Sequence, residues 1–354
     1  MVAPRLRAAA TVALTAGALV LTGCTSAAVD SPSGAASGPA DTSGGTLVTY
    51  NSPTSFANFG ALLEQFSSEH SVAAPSDTKN SGQALAALVA EAAAPQADAV
   101  YLGIAFGPQA VDADVTEAYE PEGFDAIPDD LKDPDGKWFA VHTGAIAFLC
   151  NTEALGDLDC PTSWADLLEP EYEGLVGYLD PAQAAVGYSV AAAANLALGG
   201  TVDDFGPGLD YLAELKANGA VTPAQTATAK VVQGEIPILI DADFNGYAAQ
   251  YNEGAPLTVT IPEEGSLQVP YVVGLVKDAP HPELGEQWLD YLLSEEGQAT
   301  LAEGYVRPIS GEIPAETAEK VADDEDFERA VVVDYAELAA AQADFVAAYQ
   351  AQVR

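Results

Sequence analysis

Positively charged residues are scarce in this sequence. Its 354 residues include 12 Lys and Arg against 53 Asp and Glu, which gives a formal net charge of -41 at pH 7. The lysines lie singly between Lys79 and Lys320 and form no basic cluster. Phosphate backbones and anionic membrane surfaces repel a chain of this charge. The composition therefore excludes nucleic-acid binding.

The motifs of common enzyme classes are missing as well. The 3 histidines of the chain are far apart and lack zinc-protease spacing, and there is neither a P-loop nor a dinucleotide-binding glycine motif. The segment Gly187-Tyr-Ser-Val-Ala191 is a degraded form of the hydrolase G-x-S-x-G motif, but it lies in an alanine-rich helical run and not on a turn after a strand. We predict that the protein is not an enzyme and uses neither a cofactor nor a metal.

Long apolar runs are limited to the N-terminus. Arg5 and Arg7 precede an apolar run over residues 8–20, which is short for a bilayer span and typical of an export signal. Leu21-Thr-Gly-Cys24 then follows the pattern of a bacterial lipobox. We predict a lipoprotein signal peptide over residues 1–23 and a palmitate-type anchor on Cys24 that holds the protein at the outer face of the cell membrane. An ordinary signal peptide with an incidental cysteine is the alternative.

Cysteine is nearly absent, and a featureless segment follows the first one. Residues 24–45 are small and polar with two prolines, which predicts a flexible tether. Once Cys24 is acylated, Cys150 and Cys160 are the two cysteines that remain. Because export leads to an oxidising compartment, we predict a disulfide between them, with two buried thiols as the alternative.

Beyond Thr46, short apolar runs alternate with helical stretches, which favours an α/β fold. In the first helix, Phe59, Leu62, Leu63 and Phe66 share one face, and the second helix begins at Ser81-Gly82. Predicted strands cover residues 46–50, 97–102, 175–179, 236–240 and 257–261, and a further strand lies within 138–151. Predicted helices cover residues 184–198, 203–217 and 282–293. In the second helix, Leu85, Leu88 and Val89 are predicted to point inward.

Three parts of the chain resemble one known family. They are Asp133-Pro-Asp-Gly-Lys-Trp-Phe-Ala-Val-His-Thr-Gly144 with the strand that follows it, Pro161-Thr-Ser-Trp-Ala-Asp-Leu-Leu168, and His281-Pro-Glu through Trp288 to Tyr305-Val-Arg-Pro308. In order and spacing they resemble the solute-binding lipoproteins of ABC importers, in the branch of ferric-iron, thiamine, polyamine and phosphonate receptors.

The resemblance implies a two-lobed type II periplasmic-binding-protein fold with an interlobe cleft and crossing hinge strands. Lobe one would comprise residues 46–143 plus about 250–315, lobe two about 144–249, and a C-terminal helical segment about 316–354. It also implies a monomer that captures a small solute and delivers it to a membrane permease with its ATPase. A sensory or adhesive surface lipoprotein that does not transport is the alternative.

The resemblance also implies ligand contacts at the turns that face the cleft. Each of these residues also has an ordinary role as a turn or cap residue. The candidates from lobe one and the first crossing are Asn51, Ser52, Thr54, Ser81, Gly82, Tyr101, Gly103 and Thr143.

The nature of the ligand is predicted from lobe two. Ala184 and Ala185 stand where relatives carry Ser or Thr, so these positions lack the side-chain hydroxyls that would bind an anion. Asp241 and Asp243 follow what we interpret as the second crossing strand, and a buried carboxylate there needs a cationic partner. The alternative is that Asp243 or Asn245 only caps the helix that begins near Phe244. Tyr188 and Tyr271 are candidate aromatic contacts. We predict a small organic cation, such as a polyamine or a thiamine-like molecule, with a phosphonate or ferric iron as alternatives.

Overall fold

The computed structural model describes residues 44–223 and 227–354. The predicted signal peptide, Cys24 and nearly all of the tether lie outside the described residues. Within the described part of the chain, no helix is both long enough and apolar enough to cross a membrane.

The described residues form an α/β structure, as the alternating pattern predicts. The strands are β1 (Thr49–Asn51), β2 (Ser76–Thr78), β3 (Ala99–Gly103), β4 (Thr116–Glu117), β5 (Phe139–Thr143), β6 (Ile146–Asn151), β7 (Val176–Tyr178), β8 (Ile238–Ala242), β9 (Leu257–Thr260), β10 (Ser266–Leu267), β11 (Tyr271–Val276), β12 (Arg307–Pro308) and β13 (Ala330–Val331). The helices are α1 (Phe59–His70), α2 (Ser81–Glu91), α3 (Gly107–Asp112), α4 (Thr152–Leu155), α5 (Ala185–Ala197), α6 (Gly206–Ala217), α7 (Ala227–Val232), α8 (Asp243–Asn252), α9 (Pro282–Leu293), α10 (Glu295–Ala302), α11 (Ala315–Ala318), α12 (Asp324–Phe327) and α13 (Tyr335–Gln352).

Lobe one is built on a seven-stranded sheet in the order β12-β5-β11-β3-β1-β2, with β4 paired to β11. Strands β2, β1 and β3 are parallel, and β11 runs antiparallel to both β3 and β5. The helix α1 buries Phe59, Leu62, Leu63 and Phe66, which confirms the predicted apolar face.

Lobe two is built on a four-stranded sheet in the order β7-β8-β6-β9. Strands β7 and β8 are parallel, and β6 runs antiparallel to β8 and β9. Every residue of β6 and β8 is buried, as expected for continuous apolar strands at the centre of a covered sheet. Cys150 at the end of β6 is joined to Cys160 with 5.7 Å between the Cα atoms, which is the pairing that the sequence predicts.

The chain crosses from lobe one to lobe two between Thr143 and Ile146 and returns after β9. Two sequence-based interpretations need correction here. Strand β8 is not a crossing strand, because it lies between β7 and β6 inside the second sheet. Strand β9 pairs with β6, so lobe two extends beyond the predicted boundary near residue 249 to about residue 260.

The C-terminal segment contacts both lobes. Strand β13 pairs in parallel with β10, which lies on the return crossing. The last helix, α13, then packs against α6 of lobe two and against α3 of lobe one.

The helix α2 begins at Ser81, as predicted from the sequence. Asn80 caps it and forms a reciprocal capping box with Gln83. Leu88 is buried, but Val89 is 51% exposed, so its predicted inward orientation is wrong.

Candidate functional site

An aromatic cluster lies at the carboxyl end of β3, on the side of lobe one that faces lobe two. Tyr271 of β11 is paired in register with Gly103 of β3 and with His142 of β5. Side chains opposite each other across a sheet share one face, so the Tyr271 ring stacks on Tyr101 at 5.1 Å and on His142 at 5.4 Å between centroids. The Tyr101 hydroxyl and His142 Nε2 are 2.5 Å apart and share a hydrogen bond.

Lobe two completes this cluster with Phe244, the second residue of α8. Its ring lies 4.8 Å from Phe56, 5.7 Å from His142 and 6.3 Å from Tyr271, centroid to centroid. Phe56 belongs to a short 3-10 helix after β1. The cluster is therefore a junction at which the two lobes touch.

Two buried carboxylates stand beside this junction, at the carboxyl end of β8. Asp243 Oδ1 accepts hydrogen bonds from the backbone N–H groups of Ala145 and Phe244, both at 2.9 Å. Asp241 Oδ1 accepts one from Ala242 N at 2.7 Å and one from the Asn245 side chain at 3.2 Å. Within residues 44–223 and 227–354, neither Oδ2 atom accepts a hydrogen bond. Neither carboxylate is the N-cap of α8, a position that Ala242 occupies.

The carboxylates are costly to ionise where they stand. Burial raises the pKa of Asp241 to about 6 and that of Asp243 to about 7, even though their hydrogen bonds act in the opposite direction. Arg307 lowers the pKa of Asp243, but its guanidinium lies 3.3 Å from Asp324 Oδ1 and donates to Ala322 O at 2.8 Å. Neither carboxylate forms a salt bridge with any residue of the described ranges, so a cation at this point would find two unpaired acids.

His142 supplies no positive charge to this junction. Burial lowers the pKa of His142 to about 3, so the ring is neutral at physiological pH. Its Nδ1 atom is buried without a hydrogen-bond partner among the described residues. Burial also raises the pKa values of Tyr101 and Tyr271 above the ordinary range.

Gly144 allows the first crossing to lie against the carboxylates. A Cβ atom on this residue would lie 2.5 Å from Phe244 Cδ1 and 2.6 Å from Asp243 Oδ1, both of which are prohibitively short. The preceding Thr143 is buried, and its hydroxyl donates to Gly144 O at 3.2 Å. Glycine at residue 144 therefore allows the crossing to approach Asp243 closely.

Two helix starts from opposite lobes also meet at the cleft. At the start of α2, the backbone N–H groups of Ser81 and Gly82 donate no hydrogen bond to the described residues. At the start of α5, Ala184 gives no side-chain cap, and the N–H groups of the first three helical residues donate no hydrogen bond to the described residues. Free N–H groups and the helix dipole favour an anion at both places.

The two lobes are closed on each other at these helix starts. Ser81 Oγ accepts a hydrogen bond from Gly103 N at 3.0 Å, which holds α2 to the end of β3. A Cβ atom on Gly103 would lie 2.8 Å from the Ala185 Cβ of lobe two, so only glycine permits this approach.

The structure brings together most of the residues proposed from the sequence. Tyr101, Gly103, Ser81 and Gly82 lie on the lobe-one side of the junction, with Thr143 at the crossing, Tyr271 in the aromatic cluster, and Asp241 and Asp243 on the lobe-two side.

Four other candidates are placed differently. The Asn51 amide is used locally, because it donates to Ser52 O at 2.6 Å and to Ser76 Oγ at 2.9 Å. Ser52 is half-buried and Thr54 is exposed. The predicted position of Tyr188 at the cleft needs correction. Tyr188 is fully buried, and its hydroxyl donates to Leu338 O of α13 at 2.7 Å, so it packs against the C-terminal helix and not at the junction.

Sequence reasoning missed three aromatic residues of the junction, namely Phe56, His142 and Phe244. His142 precedes the candidate Thr143 and Phe244 follows Asp243, so adjacency to proposed residues was the available signal for these two. The described residues hold no group of three His, Cys, Asp or Glu side chains that could bind a metal ion.

Comparison with known proteins agrees with this architecture. Residues 95–340 match the sequence model of the bacterial extracellular solute-binding protein family. A Salmonella typhimurium protein, whose name provisionally assigns it as a 2-aminoethylphosphonate-binding periplasmic protein, is 33% identical over 165 residues, which are 45% of this chain and 47% of that protein. The chain thus spans about half the length of the curated relatives it matches.

Solved structures show the same fold. AfuA from Actinobacillus pleuropneumoniae, with fructose-6-phosphate bound, has a TM-score of 0.73 at 24% identity and covers 88% of this chain and 99% of its own. Iron-bound HitA from Pseudomonas aeruginosa has a TM-score of 0.69 at 21% identity, over 85% and 98% of the two chains.

These likenesses establish the two-lobed periplasmic-binding-protein fold that the resemblance implies. The matched residues include Tyr101, His142, Phe244 and Tyr271 of the aromatic cluster, the first crossing and both buried carboxylates. Because the family match covers more than half of the chain, this protein belongs to the bacterial extracellular solute-binding protein family.

Proposed function

We propose that the solute carried by this receptor has a positively charged amine, and that Asp241 or Asp243 binds it at the junction between the lobes. The observation that carries this proposal is the pair of buried carboxylates whose Oδ2 atoms are unused among the described residues. A buried charge is stable only when it is paired, so an amine would supply the positive charge that these carboxylates lack.

The same site also has features that suit an acidic group. The free N–H groups at the starts of α2 and α5 are donors for a phosphonate or carboxylate. Strands β7 and β8 are neighbours and parallel, so α5, which follows β7, and the carboxylates, which lie at the carboxyl end of β8, are at the same edge of the sheet. A short molecule with an amine at one end and an acid at the other therefore suits the site better than a cation alone.

This combination joins the cationic ligand predicted from the sequence with its phosphonate alternative. 2-Aminoethylphosphonate carries both groups and is the ligand in the name of the Salmonella typhimurium relative. We propose aminoalkylphosphonates as the solute class. Ligand contacts from both lobes would stabilise the closed form, which the permease then receives.

Other members of the predicted ligand set have less support. A polyamine or thiamine-like cation would pair with the carboxylates but would leave both helix starts unused. Ferric iron would need a cluster of hard ligands, and the described residues hold no such group of His, Cys, Asp and Glu.

Calorimetry with the full-length protein tests the ligand class. 2-Aminoethylphosphonate should bind, whereas ethylphosphonate, which lacks the amine, and putrescine, which lacks the acid, should bind at least tenfold more weakly. Removing one partner of a buried charge pair costs about 2 to 5 kcal/mol, so Asp243→Asn should weaken binding by at least about thirtyfold if Asp243 holds the amine. Asp125→Asn, at an exposed aspartate outside the junction, is the matched control.

Two results would refute this assignment. One is equal binding of ethylphosphonate and 2-aminoethylphosphonate, and the other is unchanged affinity in both Asp241→Asn and Asp243→Asn.

We further propose that the receptor is a monomer anchored to the membrane through lipid on Cys24. The lipobox and the polar tether after it support this arrangement. Cys24→Ala should move the protein from the membrane fraction to the soluble fraction, while Cys24→Ala protein that stays on membranes after a salt wash would contradict lipidation. An adjacent sensor-kinase gene in place of permease and ATPase genes would favour a sensory role over transport.

A further inference from the structure

The C-terminal helix α13 is held firmly by lobe two. The Tyr188 hydroxyl donates to Leu338 O at 2.7 Å, and Phe345 packs against Tyr188 at 5.2 Å and against Phe205 at 4.8 Å between ring centroids. Tyr188 and Phe205 belong to lobe two, so the first half of α13 is attached there by aromatic packing and a buried hydrogen bond.

The end of α13 is attached to lobe two as well. The hydroxyls of Tyr349 and Tyr178 are 3.3 Å apart, and both residues are fully buried or nearly so. Arg354 Nη1 lies 3.2 Å from Asp180 Oδ2, and the Asp180 side chain is only 3% exposed. The contact between the two hydroxyls and the ion pair therefore attach the end of α13 and Arg354 to lobe two.

Lobe one holds the same helix through fewer polar side-chain contacts. The helix packs there against the 3-10 turn Ile104–Phe106 and against α3. One side-chain hydrogen bond spans this contact in the described structure: Gln109 Nε2 of α3 donates to Gln342 Oε1 of α13 at 2.8 Å. Tyr335, at the start of α13, donates to Gln268 O of the return crossing at 3.0 Å. Gln109 also donates to Ala105 O at 2.8 Å, which ties the amide to the turn.

The position of this contact matters for opening and closing. The turn Ile104–Phe106 directly follows Gly103, the residue at which lobe one meets Ala185 of lobe two. When the lobes separate at Gly103, a helix fixed to lobe two must leave the turn that follows it. The contact between α13 and lobe one therefore exists in the closed form and is lost on opening.

We propose that α13 is an interlobe strap: it travels with lobe two, grips lobe one through Gln342 in the closed form, and so sets the open–closed equilibrium and the ligand affinity without touching the ligand. This inference rests on the proposed function only in its affinity readout. Affinity depends on the fraction of protein that is competent to close, so a remote contact that favours closure strengthens binding. The grip residues Gln109 and Gln342 are thus affinity-setting residues.

The test compares Gln109→Ala, Gln342→Ala and the double variant with Gln350→Ala, an exposed glutamine on the same helix. In ligand-free full-length protein, hydrogen–deuterium exchange over residues 104–112 and the radius of gyration from X-ray scattering report opening directly. Both should rise in each grip variant, and the double variant should match Gln109→Ala, because Gln342→Ala breaks only the bond to Gln109, whereas Gln109→Ala breaks that bond and the one to Ala105 O. The Gln350→Ala protein should match the wild type.

The affinity for 2-aminoethylphosphonate should fall about threefold to tenfold in each grip variant, as expected for one lost hydrogen bond. Unchanged exchange and unchanged scattering in both grip variants would overturn the strap, as would additive effects in the double variant or an equal effect of Gln350→Ala. If 2-aminoethylphosphonate does not bind the wild type, the proposed ligand fails, while the exchange and scattering results still decide the strap.

Discussion

The buried carboxylates predict that amine binding depends steeply on pH. An ammonium group pairs with ionised Asp243, but burial raises the pKa of this carboxyl group to about 7. A ligand must therefore displace a proton from the site at pH 6, where most Asp243 side chains are protonated. The proposal thus requires proton release on binding and an affinity that falls as the pH decreases.

The size of the effect follows from these values. With a pKa of about 7, Asp243 is half ionised at pH 7 and about one hundredth ionised at pH 5, so affinity should fall about fiftyfold between these pH values. Asp241, with a pKa of about 6, would give a smaller fall of about tenfold over the same range. A fall in affinity over this range therefore identifies a buried carboxylate of raised pKa as the partner of the amine, and the two Asp→Asn variants identify which one it is.

Calorimetry between pH 5 and pH 8, in buffers with different ionisation enthalpies, measures both affinity and protons released. The comparison of wild type with Asp243→Asn cancels the titration of the phosphonate, because the ligand is the same. If Asp243 holds the amine, the variant should lose the steep component centred near pH 7. An equal pH profile for wild type, Asp241→Asn and Asp243→Asn would refute the reasoning.

Three further predictions concern stability. Because the pKa of Asp243 is raised in the folded protein, the ligand-free wild type loses up to about 4 kcal/mol of stability as the pH rises from about 4 to about 7. Asp243→Asn should therefore raise the urea midpoint at pH 8 and not at pH 4. An unchanged midpoint at pH 8 would contradict this prediction. Replacing Cys150 and Cys160 together with Ser should lower the free energy of unfolding by about 2 to 3 kcal/mol, and mass spectrometry of the exported wild type should find no free thiol at these positions, whereas two free thiols would disprove the bond. Gly144→Ala should lower the urea midpoint by the equivalent of about 1 to 3 kcal/mol, since its Cβ would lie 2.5 Å from Phe244, and an unchanged midpoint would mean that this approach is not tight.

The fold was largely predictable because its signals are local or are carried by ordered motifs. The apolar spacing of Phe59, Leu62, Leu63 and Phe66 sets the buried face of α1, and the structure agrees. The α/β alternation and the family segments gave the two-lobed architecture. The carboxylates Asp241 and Asp243 could be singled out because acids at the end of an apolar strand are unusual.

The parts that could not be predicted depend on contacts between distant residues. The local sequence places Tyr188 at the cleft, but α13 covers this residue through a contact with Leu338, 150 residues later in the chain. Strand β8 has the same apolar sequence whether it crosses between lobes or lies within one sheet, and only its pairing with β6 and β7 decides. The hydrogen bond between Tyr101 and His142 likewise depends on β11 lying between their strands.

We propose that the carboxylates at the end of β8 hold an amine-bearing solute between the lobes, and a crystal structure of the full-length protein with 2-aminoethylphosphonate tests this binding mode most directly. We expect the amine nitrogen within hydrogen-bond distance of Asp241 Oδ2 or Asp243 Oδ2, and the phosphonate oxygens on the N–H groups that begin α2 or α5. A ligand bound with its amine in solvent, or bound outside the cleft, would contradict this binding mode.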